Sequence, residues 1–358
     1  MKKILISVSC GISILIIIFC IFIILYINGI KSISKNNDLI EFTAKEGSKF
    51  YTISGDLYDL GLIKSEFWYK IYLKLNKAPK IKKGKYYLSK NMSVKDIVDT
   101  LSNSKPNELG IKITFKEGYN FNDIISEITA NTNNTEEDIM NLIHDEEYIN
   151  SLINDYWFIT DDIKNQDIYY SLEGYLYPDT YIYKDESVEV KEIFKLMLDE
   201  MGKKLNSLKE DIDTSKYSVH EILTLASIVE LEGQSLEDRM MIAGVFENRL
   251  KANMNLGSDV TTYYGSKVRL SERDLNSTEL QSVNGYNTRS ASLIGKLPVG
   301  PICNPSVDSI KAVLNPTESD YYYFVADINH KTYFTKTPTE HSNKIAELKK
   351  DGLWYTYE

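Results

Sequence analysis

The chain has 358 residues, with 41 Lys and Arg against 51 Asp and Glu, a net charge of −10 at pH 7. Apolar content of 43% beside 26% charged residues excludes wholesale disorder, and at ~100–200 residues per domain two folded units fit. The acidic balance argues against a nucleic-acid partner, whose phosphates need concentrated basic surface. Three cysteines, Cys10, Cys20 and Cys303, cannot form a disulfide framework.

From Ile4 to Ile27 no charged residue interrupts a run rich in Ile, Leu, Phe and Val. About 20 apolar residues span a bilayer core, whereas a signal-peptide core has ~7–15. The run therefore predicts one transmembrane helix over 4–27, with residues 1–3 as a cytoplasmic tip. Lys2 and Lys3 before it and Lys31 and Lys35 after it nearly balance, so orientation leans on the short N-terminal flank. The expectation is a single-pass protein of the cell membrane whose C-terminal body lies outside the cytoplasm. Residues 28–38 read as a polar stalk.

Residues 39–104 predict a small α/β unit. A strand at Ile40–Ala44 meets a turn at Gly47, helices follow at Ile53–Leu62 and Phe67–Leu75, and a second strand lies at Tyr86–Leu88. Ser93 is placed to cap a helix over Val94–Leu101. The breaker cluster Ser102–Asn107 marks the boundary, and residues 110–356 predict a larger mixed α+β unit. Lys45-Glu46-Gly47, with Phe50 and Ile53 beyond it, echoes Lys116-Glu117-Gly118 with Phe121 and Ile124. One strand–turn–helix start used twice, or chance, explains the echo.

Within the second unit, Asn134–Ile153 reads as a solvated helical hairpin and Leu172–Tyr183 as an aromatic, turn-rich stretch. Helices are predicted over Val188–Leu208, Val219–Glu232 and Leu236–Leu250. Tyr321–Ala326 and Thr332–Thr335 form a hairpin around Asp327–His330, and a last helix begins near Thr339. The whole is of α+β class.

The most informative segment is Ser218–Gly233. Ser218 and Glu221 make a capping box, and Ile222, Leu225, Ala226 and Val229 repeat at the helical period. Leu223, Ile228 and Leu231 make the other faces apolar, so this helix belongs inside a protein. Its last turn nevertheless carries Glu230 and Glu232 before Gly233, a helix terminator. At ~100° per residue Glu230 falls beside Ala226 and Leu223. Apolar surroundings and the negative end of the helix dipole penalise a charged carboxylate, which is what a proton-donating acid requires. Two solvent-facing glutamates at a frayed helix end explain the same residues. The pair lies ~200° apart, so at most one serves a given site.

His144, His220, His330 and His341 show no metal spacing, and neither a nucleophile elbow nor a phosphate loop occurs. No metal and no cofactor is expected, and Cys303 reads as a small packed residue. Loops rich in Asn, Tyr and Pro lie at Leu172–Tyr181, Gly257–Gly265, Tyr286–Thr288 and Leu297–Pro305. Their amides and aromatic faces suit sugars, and turn chemistry explains them equally.

At these residues the sequence resembles the YceG/MltG-like family of endolytic murein transglycosylases. The matching pieces, in the family's order, include Leu172–Tyr181, Leu225–Glu232, Val245–Leu250, Leu256–Gly265, Leu297–Pro305, Ala312–Pro316 and Phe334–His341. Segment 39–104 resembles the family's LysM-like subdomain, and 110–356 its catalytic domain; Arg289–Lys296 is longer than the family pattern. The resemblance implies cleavage of the β-1,4 bond between N-acetylmuramic acid and N-acetylglucosamine in nascent peptidoglycan strands, leaving 1,6-anhydro ends and terminating elongation. It assigns Glu230 as the acid/base, with Glu232 as the fallback. Ser258, Asp259, Tyr263, Asn287 and Asn304 are expected in the glycan groove. Expected partners are the glycan strands, the membrane and peptidoglycan synthases. Two rival readings remain: a hydrolytic muramidase using Glu173 or Asp259 as a second carboxylate, and a non-catalytic wall-binding scaffold.

Overall fold

The structure, a computed structural model, describes residues 17–34, 39–76, 80–103, 111–183, 185–270 and 272–354. The first helix, α1, covers residues 17–30. The expected transmembrane helix over 4–27 is corrected here: among the described residues no helix is long and apolar enough to cross a membrane. Residues 4–16 of the expected span lie outside the described residues. The end of α1 uses its apolar groups on protein: Phe22 and Tyr26 meet the Trp68 ring edge-on at 5.2 and 6.1 Å.

The chain divides into two units, Met1–Ile111 and Lys112–Glu358. In the first, β1 (Leu39–Ala44) buries Phe42 and Ala44 while Glu41 and Thr43 stay exposed, the alternation of a half-buried strand. It pairs antiparallel with β2 (Gly84–Ser89), Phe42 opposite Tyr86. Helices α2 (Ser54–Asp59), α3 (Glu66–Leu75) and α4 (Val94–Asn103) belong to the same unit. Leu57, Tyr69, Ile97 and Leu101 join Phe42 and Leu88 in one core. Ser93 Oγ accepts from Asp96 N and opens α4.

The second unit is mostly helical. Strand β3 (Ile111–Thr114) pairs with β4 (Thr180–Tyr183). Between them come α5 (Phe121–Asn131), α6 (Glu136–His144) and α7 (Glu146–Asp155). Capping boxes at Asn120/Asp123 and Thr135/Asp138 set where α5 and α6 begin. Then follow α8 (Val190–Ser207), α9 (Lys209–Thr214), α10 (Val219–Glu232), α11 (Leu236–Lys251), α12 (Asp259–Gly265), α13 (Ser277–Leu280) and α14 (Val307–Leu314). The unit closes with an antiparallel hairpin, β5 (Tyr323–Ala326) and β6 (Thr332–Thr335), and α15 (Pro338–Lys350). Helix α10 packs against α11, α12 and α14. Ile222, Leu223, Ala226, Ile228 and Val229 lose all solvent contact, each large side chain contributing about 1.5–3 kcal/mol. The mixed α+β class thus holds, with only two-stranded sheets among the described residues.

The echoed turns share a backbone solution. Gly47 after β1 and Gly118 after β3 take φ of +79° and +78°, where side chains are strained. In the second unit this turn becomes a wall of the site.

Candidate active site

Helix α10 begins at the expected capping box, Ser218 Oγ accepting from Glu221 N while Glu221 accepts from Ser218 N. Fourteen residues later it ends at Gly233, whose extended backbone (φ −108°, ψ 138°) is open to any residue. Glycine is needed for proximity: a Cβ there would lie 2.6 Å from Arg239 Cγ. Ser235 caps α11, and one turn into it Arg239 folds back over the end of α10.

That return brings Glu230 its partners. Arg239 Nη2 donates to Glu230 Oε1 at 2.7 Å, while Nη1 donates to Ser306 Oγ at 2.9 Å and Nε to Gly233 O at 3.1 Å. Glu230 Oε2 accepts from Ser306 N at 2.8 Å, Ser306 Oγ at 2.6 Å and Ser309 Oγ at 2.7 Å. With side chains only 4% and 12% exposed, Glu230 is buried and Arg239 nearly so, and each nitrogen and oxygen of the two side chains has at least one partner. Hydrocarbon was expected around this carboxyl; the structure supplies donors. Helical periodicity sees a residue's own helix, whereas Arg239, Ser306 and Ser309 arrive from α11, a loop and α14.

The Lys116–Gly118 turn closes one side. Gly118 N donates to Asn304 O at 3.1 Å, and Asn304 N to Tyr119 O at 2.8 Å. A Cβ on Gly118 would stand 3.2 Å from Leu231 Cδ2 and 3.9 Å from Glu230 Cγ. Burial, and then the charge of Glu230, raise the Glu117 carboxyl above its ordinary range. Sequence reasoning missed Glu117, Arg239, Ser306 and Ser309; the repeated Lys-Glu-Gly turn was the one signal available for the first.

Glu232 points elsewhere, as the angle between the two glutamates requires. It is half-buried and accepts from Ser258 Oγ at 2.6 Å. Burial is the main cause raising its carboxyl, with Asp259 adding to it and Arg249 and Arg289 opposing. Ser258 precedes α12 and spends its hydroxyl on Glu232 instead of on the cap. Asp259 accepts from Arg289 Nε at 2.6 Å. The expected residues Ser258 and Asp259 therefore assemble around Glu232.

Tyr263 is buried within α12. Asn287 is fully buried: Oδ1 accepts from Thr262 Oγ1, and Nδ2 donates to Leu280 O and Ser282 O. Asn304 Oδ1 accepts from Leu176 N, and its Nδ2 donates to Tyr119 O and, at 3.4 Å, to Glu173 Oε1. Amides engaged at both ends and almost without solvent contact shape walls.

Glu173 is buried and makes no ion pair among the described residues. Its Oε2 accepts from Phe121 N at 2.9 Å and Tyr264 Oη at 3.0 Å, and burial pushes the carboxyl up to about 8. His220 is held between Tyr175 Oη at 2.8 Å and Val299 O at 2.9 Å. Cys303 is buried, its thiol donating to Ser227 O, and burial raises it well above the usual thiol range. Among the described residues no group of three His, Cys, Asp or Glu side chains could hold a metal ion.

Residues 42–347 match the model of the YceG-like family. An endolytic murein transglycosylase of Bacillus subtilis is 34% identical over 312 residues, 86% of this chain and 84% of that protein. One of Streptococcus pneumoniae is 33% identical over 319 residues, 84% of this chain and 57% of the longer relative. A crystal structure of a YceG-like protein from Listeria monocytogenes superposes with a TM-score of 0.61 at 33% identity, covering 86% of this chain and all of that one. The chain belongs to the YceG-like family.

Proposed function

We propose that this protein is an endolytic murein transglycosylase and that Glu230 is its acid/base. The names of its relatives support the reaction class. The observation that carries the residue is the unequal fixing of the two oxygens of Glu230. Arg239 donates only, so Oε1 is held as an acceptor. Oε2 accepts from the Ser306 N–H, which only donates, and from the Ser306 and Ser309 hydroxyls, which can turn to accept, so a proton on Oε2 would still find a partner in either hydroxyl.

In this reading Glu230 protonates the glycosidic oxygen while the bond from that oxygen to C1 of N-acetylmuramic acid breaks. The C6 hydroxyl of the same sugar bonds to C1, and its proton returns to Glu230. Atoms balance without water, leaving a 1,6-anhydro end and a free 4-hydroxyl. A hydrolase commonly needs a second carboxylate to activate water or attack carbon; here the substrate's hydroxyl takes that place. The polymer lies outside the cytoplasm, so the catalytic unit acts there, and cuts within new strands end their elongation.

Glu232 sustains a second reading for the acid, because its carboxyl is raised and Ser258 is the one donor that addresses it among the described residues. Polymeric glycan treated with Glu230→Gln and Glu232→Gln proteins separates the two. Loss of anhydro ends with the first alone supports Glu230, and loss with the second alone transfers the role.

A further inference from the structure

The α5–α6 face of the second unit holds a cavity of about 280 Å³ that the reaction above does not use. Tyr169, Tyr170 and Tyr264 form its aromatic walls, Lys267 and Arg269 bring positive charge, and Glu136 brings negative charge. The space is open to solvent on one side and is large enough for the side chain of one long amino-acid residue.

The cations are available. Lys267 Nζ lies 4.5 Å from the Tyr169 ring centroid and makes no ion pair among the described residues. Arg269 has one long contact, 3.7 Å, to Asp123 Oδ1, whose other oxygen accepts from Asn120 N. Lys267 takes φ +56° where α12 ends, with Lys267 N on Tyr264 O and Val268 N on Tyr263 O. Glycine usually occupies that position, so a lysine there carries a backbone cost.

The cavity also adjoins the catalytic network. Tyr264 Oη donates to Glu173, Glu173 accepts from Asn304, and two residues later Ser306 donates to Glu230.

We propose that this cavity binds a peptide branch of the wall polymer through a residue bearing both a carboxylate and an ammonium. Lys267 and Arg269 take the carboxylate, Glu136 takes the ammonium, and the tyrosine walls cover the aliphatic stem. The proposal rests on the murein reading of the preceding section. It deepens that reading by making strand recognition depend on the peptide as well as the sugars.

The test compares a muramyl disaccharide carrying a peptide with a terminal diamino acid against the same disaccharide without peptide. Binding to the full chain is followed by calorimetry. Lys267→Gly deletes the amine yet suits the left-handed backbone, and Arg269→Gln keeps size and removes charge. The expected result is at least tenfold tighter binding of the peptide-bearing ligand, reduced at least fivefold in each variant, with peptide-free binding unchanged. Equal binding of the two ligands, or variants that keep the preference, overturns the proposal. Cleavage of peptide-free glycan is measured in parallel: intact cleavage with no peptide preference removes the cavity's role alone, whereas absent cleavage removes the murein reading.

Discussion

Replacing Glu173 by Gln separates the charge of this buried carboxyl from its shape. A Gln with its oxygen at the Oε2 position keeps the bonds from Phe121 N and Tyr264 Oη and loses only the 3.4 Å contact with Asn304. That loss costs about 1 kcal/mol. Burial holds the carboxyl at about 8, whereas in an unfolded chain it ionises near ~4.3. Because the folded value is the higher one, this group's contribution to stability is complete below ~4.3 and is lost as pH rises through about 8. The interval is worth roughly 5 kcal/mol at about 1.36 kcal/mol per pH unit. Glutamine bears no such burden. The variant should lie within about 1 kcal/mol of wild type at pH 5 and be roughly 4 kcal/mol more stable at pH 9. Urea unfolding of both proteins at pH 5, 7 and 9 reads this directly, because groups they share cancel in the difference. A stability difference that stays constant with pH would show Glu173 ionised throughout and refute the reasoning.

Other perturbations address the acid's surroundings. Arg239→Ala should destabilise the protein by about 3–5 kcal/mol in urea unfolding, since Glu230 is left buried without its cation. Arg239→Lys keeps the charge but cannot reach Glu230, Ser306 and Gly233 together; it should fold and lose at least tenfold in cleavage rate. Gly118→Ala meets a left-handed backbone and Leu231, so its urea midpoint should fall by the equivalent of about 1–2 kcal/mol; an unchanged midpoint would show that the turn relaxes freely. Glu232→Gln should keep the release of anhydro ends within a few-fold of wild type.

Local signals were legible where one segment decides its own structure. The Ser218/Glu221 box and the period through Val229 located α10 to the residue, and the Lys-Glu-Gly echo is a shared positive-φ turn. The separation of Glu230 from Glu232 followed from angle alone. What could not be read was convergence from afar. Arg239 lies nine residues from Glu230 and Ser306 seventy-six, and nothing local says that they meet. That the amides of Asn287 and Asn304 bond to backbone carbonyls was equally hidden, because residue type shows capacity for hydrogen bonds, not which partner uses it. Apolar run length likewise suggested a membrane span where the described helix places Phe22 and Tyr26 against Trp68.

The central claim is that Glu230 moves the proton on which strand scission depends. Mass analysis of the ends released from polymeric glycan tests it most directly. Wild-type protein should generate 1,6-anhydro termini, and Glu230→Gln, which leaves Arg239 without its anion and should unfold in less urea, should generate none above background while its circular dichroism still shows it folded. Reducing termini from the wild type, or anhydro termini from the variant at an undiminished rate, would contradict the account.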